Sequence, residues 1–115
     1  MSSIVTIEEL IRRITGIRLE MLHSPCIEKH LWDIGKNLSQ WRHAAPRLGF
    51  QQADVDAWEY DPRHDEEGKR QLMLTAWRQR NGSQATYKAL AEVLLQVGRT
   101  DLAELLLTTM KGMMN

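Results

Sequence analysis

The apolar residues of this chain recur at steps of three and four positions, a spacing that places them on one face of an α-helix. Sustained two-residue alternation, which is typical of a half-buried strand, is absent from the sequence. Gly and Pro fall between the periodic segments and divide the chain into separate helices. The pattern therefore predicts an all-α protein whose helices are joined by short turns.

The first periodic segment opens with Thr6 and Glu9, a pair able to form a capping box at a helix start. Gly16 is a weak point within it. Its apolar stripe consists of Ile7, Leu10, Ile11, Ile14 and Met21. Pro25 ends the segment, because a proline ring disfavours helical geometry at the preceding residue. We expect an N-terminal helix and linker over residues 1–26.

Six further helices are predicted over residues 27–115. Their apolar stripes are, in order, Ile27, Leu31, Ile34 and Leu38; Trp41, Ala44, Ala45 and Leu48; Val55 and Trp58; Leu72, Met73, Ala76 and Trp77; Tyr87, Leu90, Ala91, Leu94 and Val97; and Leu102, Leu105, Leu106, Thr109 and Met113. Pro46 should bend the second of these helices, because proline removes a backbone hydrogen bond. Connections of a few residues indicate largely antiparallel neighbours around one core.

The composition is that of one ordinary globular domain, with 115 residues of which 43 % are hydrophobic and 26 % are charged. Fifteen Lys and Arg balance fifteen Asp and Glu, so the strong basic field of most phosphate-binding proteins is missing. The single cysteine, Cys26, favours a reducing compartment. No apolar run approaches a membrane span, and Glu8 and Glu9 interrupt any signal-peptide pattern. We expect a cytoplasmic protein that neither binds nucleic acid nor inserts into a membrane.

Three stretches of the sequence resemble the death domain family. They are WRHAAPRLGFQQADVDAWEYD at 41–61, QLMLTAW at 71–77 and ATYKALAEVLLQVGRTDLAELL at 85–106. The resemblance covers about residues 28–110. It implies a six-helix antiparallel Greek-key bundle, the death fold, here preceded by an extra N-terminal helix. It also implies a non-catalytic adaptor or scaffold in apoptotic or innate-immune signalling, whose partners are other death domains or a second copy.

Two features depart from the family. Gln51 stands where the family commonly has a Ser or Thr cap on its third helix, so we expect that helix to be frayed or displaced. Residues 1–26 lie outside the resemblance and have no assigned role. The alternative function is a monomeric regulatory domain that is held against its own leading helix at 7–21.

The charges balance in sum but are separated along the chain. An acidic block over 54–67 is followed by a basic block over 69–88. The family resemblance implies an acidic binding surface of Asp54, Asp56, Glu59 and Asp61, a basic one of Arg70, Arg78 and Arg80, and a further contact at Arg99 and Asp101. Such charges steer and select partners more than they bind them. The simpler interpretation is solvated faces with favourable helix-end charges.

Four tryptophans are candidate interface anchors: Trp32, Trp41, Trp58 and Trp77. We expect Trp41 and Trp77 in the core, because both lie on apolar stripes. Trp58 lies on a short acidic helix and is either a core residue or an exposed recognition residue. The methionines Met110, Met113 and Met114 are either an adaptable docking surface or a fraying helix end.

Other chemistry is weakly supported. His23, Cys26 and His30 have metal-like spacing but lack a fourth ligand, and Cys26 lacks the neighbours of a catalytic thiol. Asp65, Glu66 and Glu67 fit the acidic first turn of a helix. We expect no catalytic site, no metal and no cofactor.

The competing class is a helix-turn-helix DNA-binding protein, formed by residues 86–106. Asp101 and Glu104 argue against it, because they would lie at the start of the recognition helix, which faces base edges and phosphates.

Overall fold

The computed structural model describes residues 5–113 of the chain. Seven α-helices lie in this range: α1 Ile7–Arg13, α2 Glu28–Gly35, α3 Trp41–Arg47, α4 Gln52–Glu59, α5 Glu66–Asn81, α6 Tyr87–Gln96 and α7 Thr100–Gly112. Short 3-10 helices span Leu19–His23 and Gly82–Gln84. Within residues 5–113, β-structure is limited to an isolated antiparallel bridge between Pro25 and Thr86. The prediction of an all-α protein with an extra N-terminal helix is confirmed.

The pair α6 and α7 forms the centre of the bundle, where the two helices pack along their length. Helix α2 packs on α5 and α7, while α3 and α4 pack on α5. The large side chains fully buried between them are Trp41, Tyr87, Leu10, Ile34, Leu38, Met73, Leu74, Leu90, Leu94, Leu106, Leu107 and Met110. Burial of each such side chain stabilises the fold by about 2 kcal/mol. Every α-helix therefore contributes a buried side chain to the core, α4 through Val55.

Side-chain caps fix three of the helix starts. Thr6, Asp65 and Thr86 each accept a hydrogen bond from the backbone N–H three residues later, at 2.8–3.2 Å. The predicted start of the first helix at Thr6 is confirmed. These caps are local in sequence, so the positions at which helices begin could be predicted well.

The leading segment differs from the single helix predicted over its apolar stripe. Helix α1 ends at Arg13, and Gly16 adopts a φ of +87°, a left-handed conformation that glycine tolerates best. The chain then turns into the 3-10 helix Leu19–His23. On either side of this break, Leu10 of α1 and Leu22 of the 3-10 helix are both buried in the core.

The predicted linker is held against the start of α6. The N–H of Cys26 donates to the Ala85 carbonyl at 2.8 Å, and the N–H of Tyr87 donates to the Ser24 carbonyl at 3.2 Å. Cys26 is fully buried among the bundle's apolar side chains. Residues 7–26 therefore pack into the same core as the helices that follow, and the division of the chain at residue 26 stays a prediction.

Helix α4 is formed rather than frayed, although Gln51 precedes it in place of a Ser or Thr. The carboxylate of Asp54 accepts a hydrogen bond from the Gln51 N–H at 2.9 Å. A side chain inside the first turn thus supplies the contact that orders the helix start.

The buried face of α5 is shifted from the predicted one. The structure buries Gln71, Met73, Leu74 and Trp77, whereas Leu72 and Ala76 are half-buried. The reason is that α2, α3 and α4 all pack on α5, so the face that they bury together differs from the apolar stripe.

Candidate protein-interaction surfaces

The acidic surface expected on α4 is partly neutralised within the molecule. The guanidinium of Arg80 lies 3.0 Å from the carboxylate of Asp54. This bond, more than the one from the Gln51 N–H, lowers the pKa of Asp54. Asp56 is exposed, and its carboxylate accepts a hydrogen bond from the Gln52 amide at 2.9 Å. Asp56 therefore faces solvent without an ion-pair partner among residues 5–113, while the charge of Asp54 is offset by Arg80.

Glu59 is paired with Arg42, a residue for which the sequence analysis made no prediction. The guanidinium of Arg42 contacts Glu59 on α4 and, at 2.8 Å, Glu66 on α5. Its hydrogen bond is the main reason why the pKa of Glu66 is lowered. Arg42 thus ties the α4 and α5 ends together. It precedes the acidic block by more than ten positions, so nothing local in the sequence indicates this role.

Asp61 is turned toward Arg63 in the loop before α5. The backbone N–H and the guanidinium of Arg63 donate to the Asp61 carboxylate at 2.9–3.0 Å. These bonds lower the pKa of Asp61 to about 2. The side chain of Asp61 is 10 % exposed and that of Arg63 is 81 % exposed. At this point of the predicted acidic surface, the outermost charge is a cation.

The three arginines of α5 lie in separate places. Arg70 donates to the carbonyls of Gly35 and Lys36 at 2.6 and 3.2 Å, at the end of α2. Arg78 donates to the carbonyls of Cys26 and Gly82 at 2.8 and 3.0 Å. Arg80 pairs with α4 instead.

This arrangement differs from the single basic surface that the resemblance implies. Carbonyls at the end of a helix lack intrahelical donors, and Arg70 supplies donors to those at the end of α2, while Arg78 donates to the Cys26 carbonyl in the linker. Their guanidinium groups are therefore engaged inside the molecule. Their role in binding a partner stays a prediction.

Arg99 and Asp101 form a bidentate ion pair at the start of α7, in which two guanidinium nitrogens each lie 2.9 Å from a carboxylate oxygen. Arg99 also donates to the Asn37 carbonyl and the Gln40 side chain at 2.7 and 2.8 Å. It thus joins the loop after α2 to α7. The hydrogen bond from Arg99 is the main reason that the pKa of Asp101 is lowered. Asp101 remains the more exposed partner of the pair.

The tryptophans divide into buried and exposed residues. Trp41 and Trp77 are buried, as predicted. Trp58 is half-buried and meets Phe50 and Trp41 edge-on, with ring centroids 4.8 and 6.5 Å apart. It is therefore part of an aromatic cluster rather than a freely exposed indole. The exposed tryptophan is Trp32, at 53 %.

The position of Trp32 in the sequence already indicates its exposure. Trp32 follows Leu31 directly and so falls off the apolar stripe of its helix. A tryptophan off the stripe points away from the core.

A sequence model of the family described as Death domain matches residues 28–110. The chain belongs to the death-domain family. The match begins at the first residue of α2 and ends inside α7, so it covers the helices from α2 into α7, and α1 lies outside the matched range. Death domains are protein-interaction modules that bind other death-domain proteins. The resemblance and the fold that it implies are confirmed.

The chain is also similar to the human (Homo sapiens) receptor-interacting serine/threonine-protein kinase 1, with 38 % identity over 78 residues. The aligned region is 65 % of this chain and 12 % of the relative. The chain therefore spans only about an eighth of that protein.

Of the remaining candidate residues, Cys26 and His30 are buried in the core and His23 is exposed. Burial raises the pKa of Cys26 to about 12, so its thiol is not a nucleophile at neutral pH. Nδ1 of His30 lies 2.8 Å from the Tyr87 hydroxyl. Residues 5–113 contain no group of three or more His, Cys, Asp or Glu placed to hold a metal ion. None of the helices in that range is long and apolar enough to cross a membrane.

The methionines near the end of α7 have different environments. Met110 is fully buried, whereas Met113 is partly exposed. Met114 lies outside the described residues.

Proposed function

We propose that this death domain is a non-catalytic adaptor or scaffold module of apoptotic or innate-immune type signalling in the cytoplasm. Its partner is another death domain, of a different protein or a second copy, and contact is made through surfaces of complementary charge. The observation that carries the proposal is the match of the whole α2–α7 bundle to the Death domain family.

The α4 face supplies the acidic side of the proposed contact. Asp56 carries an exposed carboxylate, and Glu59 and Asp54 are held beside it by Arg42 and Arg80. Exposed ion pairs of this kind contribute about 1 kcal/mol or less each. A partner's arginines and lysines can therefore exchange with Arg42 and Arg80 at little cost. In this proposal the charges select and orient the partner, and the buried contacts of the complex hold it.

The test compares two charge reversals in the full chain. Asp56→Lys on α4 should weaken association about fivefold at low ionic strength, the equivalent of about 1 kcal/mol. Glu104→Lys is the matched control, because Glu104 is an exposed acid on α7. Association is measured by calorimetry with purified human receptor-interacting serine/threonine-protein kinase 1, and by light scattering for the chain alone. Equal behaviour of the two variants, or binding in neither experiment, contradicts the proposal.

The second candidate is a regulatory domain whose leading segment hides a binding surface. Its support is that α1 packs on α6. However, Ile7, Leu10 and Leu22 are all buried in the core. Releasing three such side chains costs about 5 kcal/mol or more, so fewer than about one molecule in a thousand would be open. We therefore favour a structural role for this segment.

A further inference from the structure

Helix α5 ends on an asparagine that is followed by a glycine. Asn81 is the last residue of the helix, and Gly82 opens the 3-10 helix Gly82–Gln84. Gly82 adopts a φ of +53°, and an added Cβ on it would meet no atom within 4 Å. The backbone conformation, rather than a lack of space, therefore favours glycine directly after Asn81.

An Asn-Gly pair is chemically reactive. The backbone nitrogen of the glycine attacks Cγ of the asparagine, because no side chain on the glycine obstructs the approach. The side-chain nitrogen leaves as ammonia with the proton that the backbone nitrogen gives up, and a five-membered imide forms. Water then adds to one of the two imide carbonyls and opens the ring, so that asparagine becomes aspartate or isoaspartate. The net change needs water alone, and asparagine is accordingly a thermolabile residue.

Hydrogen bonds hold the reacting groups of this pair in the folded chain. The side-chain nitrogen of Asn81, which would leave, donates to the Trp77 carbonyl at 2.9 Å. The N–H of Gly82, whose nitrogen would attack, donates to the Arg78 carbonyl. Asn81 has a ψ of −14°, and closure of the imide ring requires its backbone to rotate out of this helical value. The reaction therefore waits until the last turn of α5 opens, although Asn81 is exposed to water.

The side chain of Arg78 keeps this turn closed. Its guanidinium donates to the Gly82 carbonyl at 3.0 Å, beyond the end of the helix. The same guanidinium donates to the Cys26 carbonyl in the linker at 2.8 Å. One side chain thus fixes both the end of α5 and its contact with the leading segment, and its loss should make the turn open more often.

We propose that Asn81 is a site of spontaneous deamidation, which the hydrogen bonds at the end of α5 slow until this turn opens. The product carboxylate lies one helical turn from Arg78, where it competes with the Cys26 and Gly82 carbonyls for the guanidinium. It has no proton to donate to the Trp77 carbonyl, and it places a negative charge at the C-terminal end of the helix dipole. The modification therefore loosens the end of α5 and its contact with the linker.

Peptide mass spectrometry of the full chain, kept at one slightly alkaline pH, tests the reaction. Deamidation replaces an NH2 group by OH, which changes the mass of the peptide that contains Asn81. The chain unfolded in guanidinium chloride should deamidate at Asn81 about tenfold faster or more than the folded chain, because the hydrogen bonds are absent. Equal rates in the folded and unfolded chains overturn the proposal, and so does an Asn81 that stays unmodified in both.

Asn37 is a reference within the same chain. It is exposed like Asn81, but Leu38 follows it, and the leucine side chain obstructs the attacking nitrogen. Asn37 should therefore stay unmodified over the period in which the unfolded chain deamidates at Asn81. Equal modification of the two asparagines would overturn the assignment of the reactive site to the Asn-Gly pair.

Two variants separate local opening of α5 from a loss of overall stability. Arg78→Ala should increase the rate at Asn81 in the folded chain about tenfold, because the Gly82 carbonyl loses its charged donor. Leu10→Ala is the matched control, since Leu10 is fully buried in α1 and its loss removes no hydrogen bond from the end of α5. The same rate in both variants contradicts the proposal.

A third pair of variants tests the consequence of the reaction. Asn81→Asp supplies the aspartate product directly and should lower the ratio of folded to unfolded chain about tenfold relative to Asn81→Gln, which keeps a side-chain amide. Urea denaturation gives both ratios. Equal stability of the two variants would overturn the proposed loosening. None of these measurements involves association, so failure here and failure of the α4 contact are seen separately.

Discussion

The guanidinium of Arg80 lies 3.0 Å from the carboxylate of Asp54, and this ion pair joins α5 to the start of α4. Arg80 also lies over the ring of Phe50, 4.8 Å from its centroid. The acidic and basic blocks, which are separate along the chain, thus meet and partly cancel in three dimensions. The charge that a partner meets on α4 is smaller than the block of acids indicates.

A double-mutant cycle measures this relationship. Arg80→Ala and Asp54→Ala should each destabilise the chain slightly, and the double variant should lose less than the sum of the two. The coupling should decrease at high salt, because both side chains are in contact with solvent. Urea denaturation of the four proteins gives the free energies of unfolding. Additive effects would mean that the ion pair contributes nothing to stability.

Arg78 should be more important for stability than for association. Its guanidinium satisfies the carbonyls of Cys26 and Gly82, and hydrogen bonds to charged groups contribute about 1.5–3 kcal/mol. We expect Arg78→Glu to lower the free energy of unfolding by about 2–4 kcal/mol. Arg47→Glu is the control, because the Arg47 side chain donates to the His43 carbonyl of its own helix and is exposed. An Arg78→Glu variant as stable as Arg47→Glu would contradict this role.

His30 should make stability depend on pH near neutrality. Burial, the largest cause, lowers the pKa of His30 below 6.5, while Asp33 opposes and Lys29 adds to the shift. The unfolded chain then binds a proton at higher pH than the folded chain. The contribution of His30 to stability is therefore fully present above about pH 6.5. It decreases as the pH falls, by at most about 1.4 kcal/mol per pH unit.

The pH range in which His30 affects stability can be separated from the range in which the carboxylates affect it. The pKa of Glu66 is lowered from 4.5, so its contribution to stability is lost only at more acidic pH. Urea titrations between pH 6.5 and about 4.5 should show the decrease in the wild type and not in His30→Gln. The same slope in both proteins would rule out His30 as its source.

Leu10 tests whether α1 is part of the folded core. Leu10 is fully buried, so Leu10→Ala should reduce the free energy of unfolding by about 2–5 kcal/mol. Leu19→Ala is the control, because Leu19 is exposed and its loss leaves no cavity. Chemical denaturation gives both values. If the segment were an inhibitory cover, Leu10→Ala would instead increase association, which light scattering of the same samples detects.

The sequence by itself determined the helices and the family of this protein. Apolar periodicity, caps such as Thr6 and the glycine at 16 act over three or four residues, so they can be read without knowing the fold. The tertiary structure decided which charged side chains are paired within the molecule and which aromatic side chains are exposed to solvent. Arg78 is engaged with Cys26, 52 positions away, and Arg80 with Asp54, 26 positions away. Trp32 stays exposed because the packing of α2 on α5 and α7 buries Leu31 and Ile34 instead. Such contacts join residues that are distant in the chain, so only the packing of the helices brings them together.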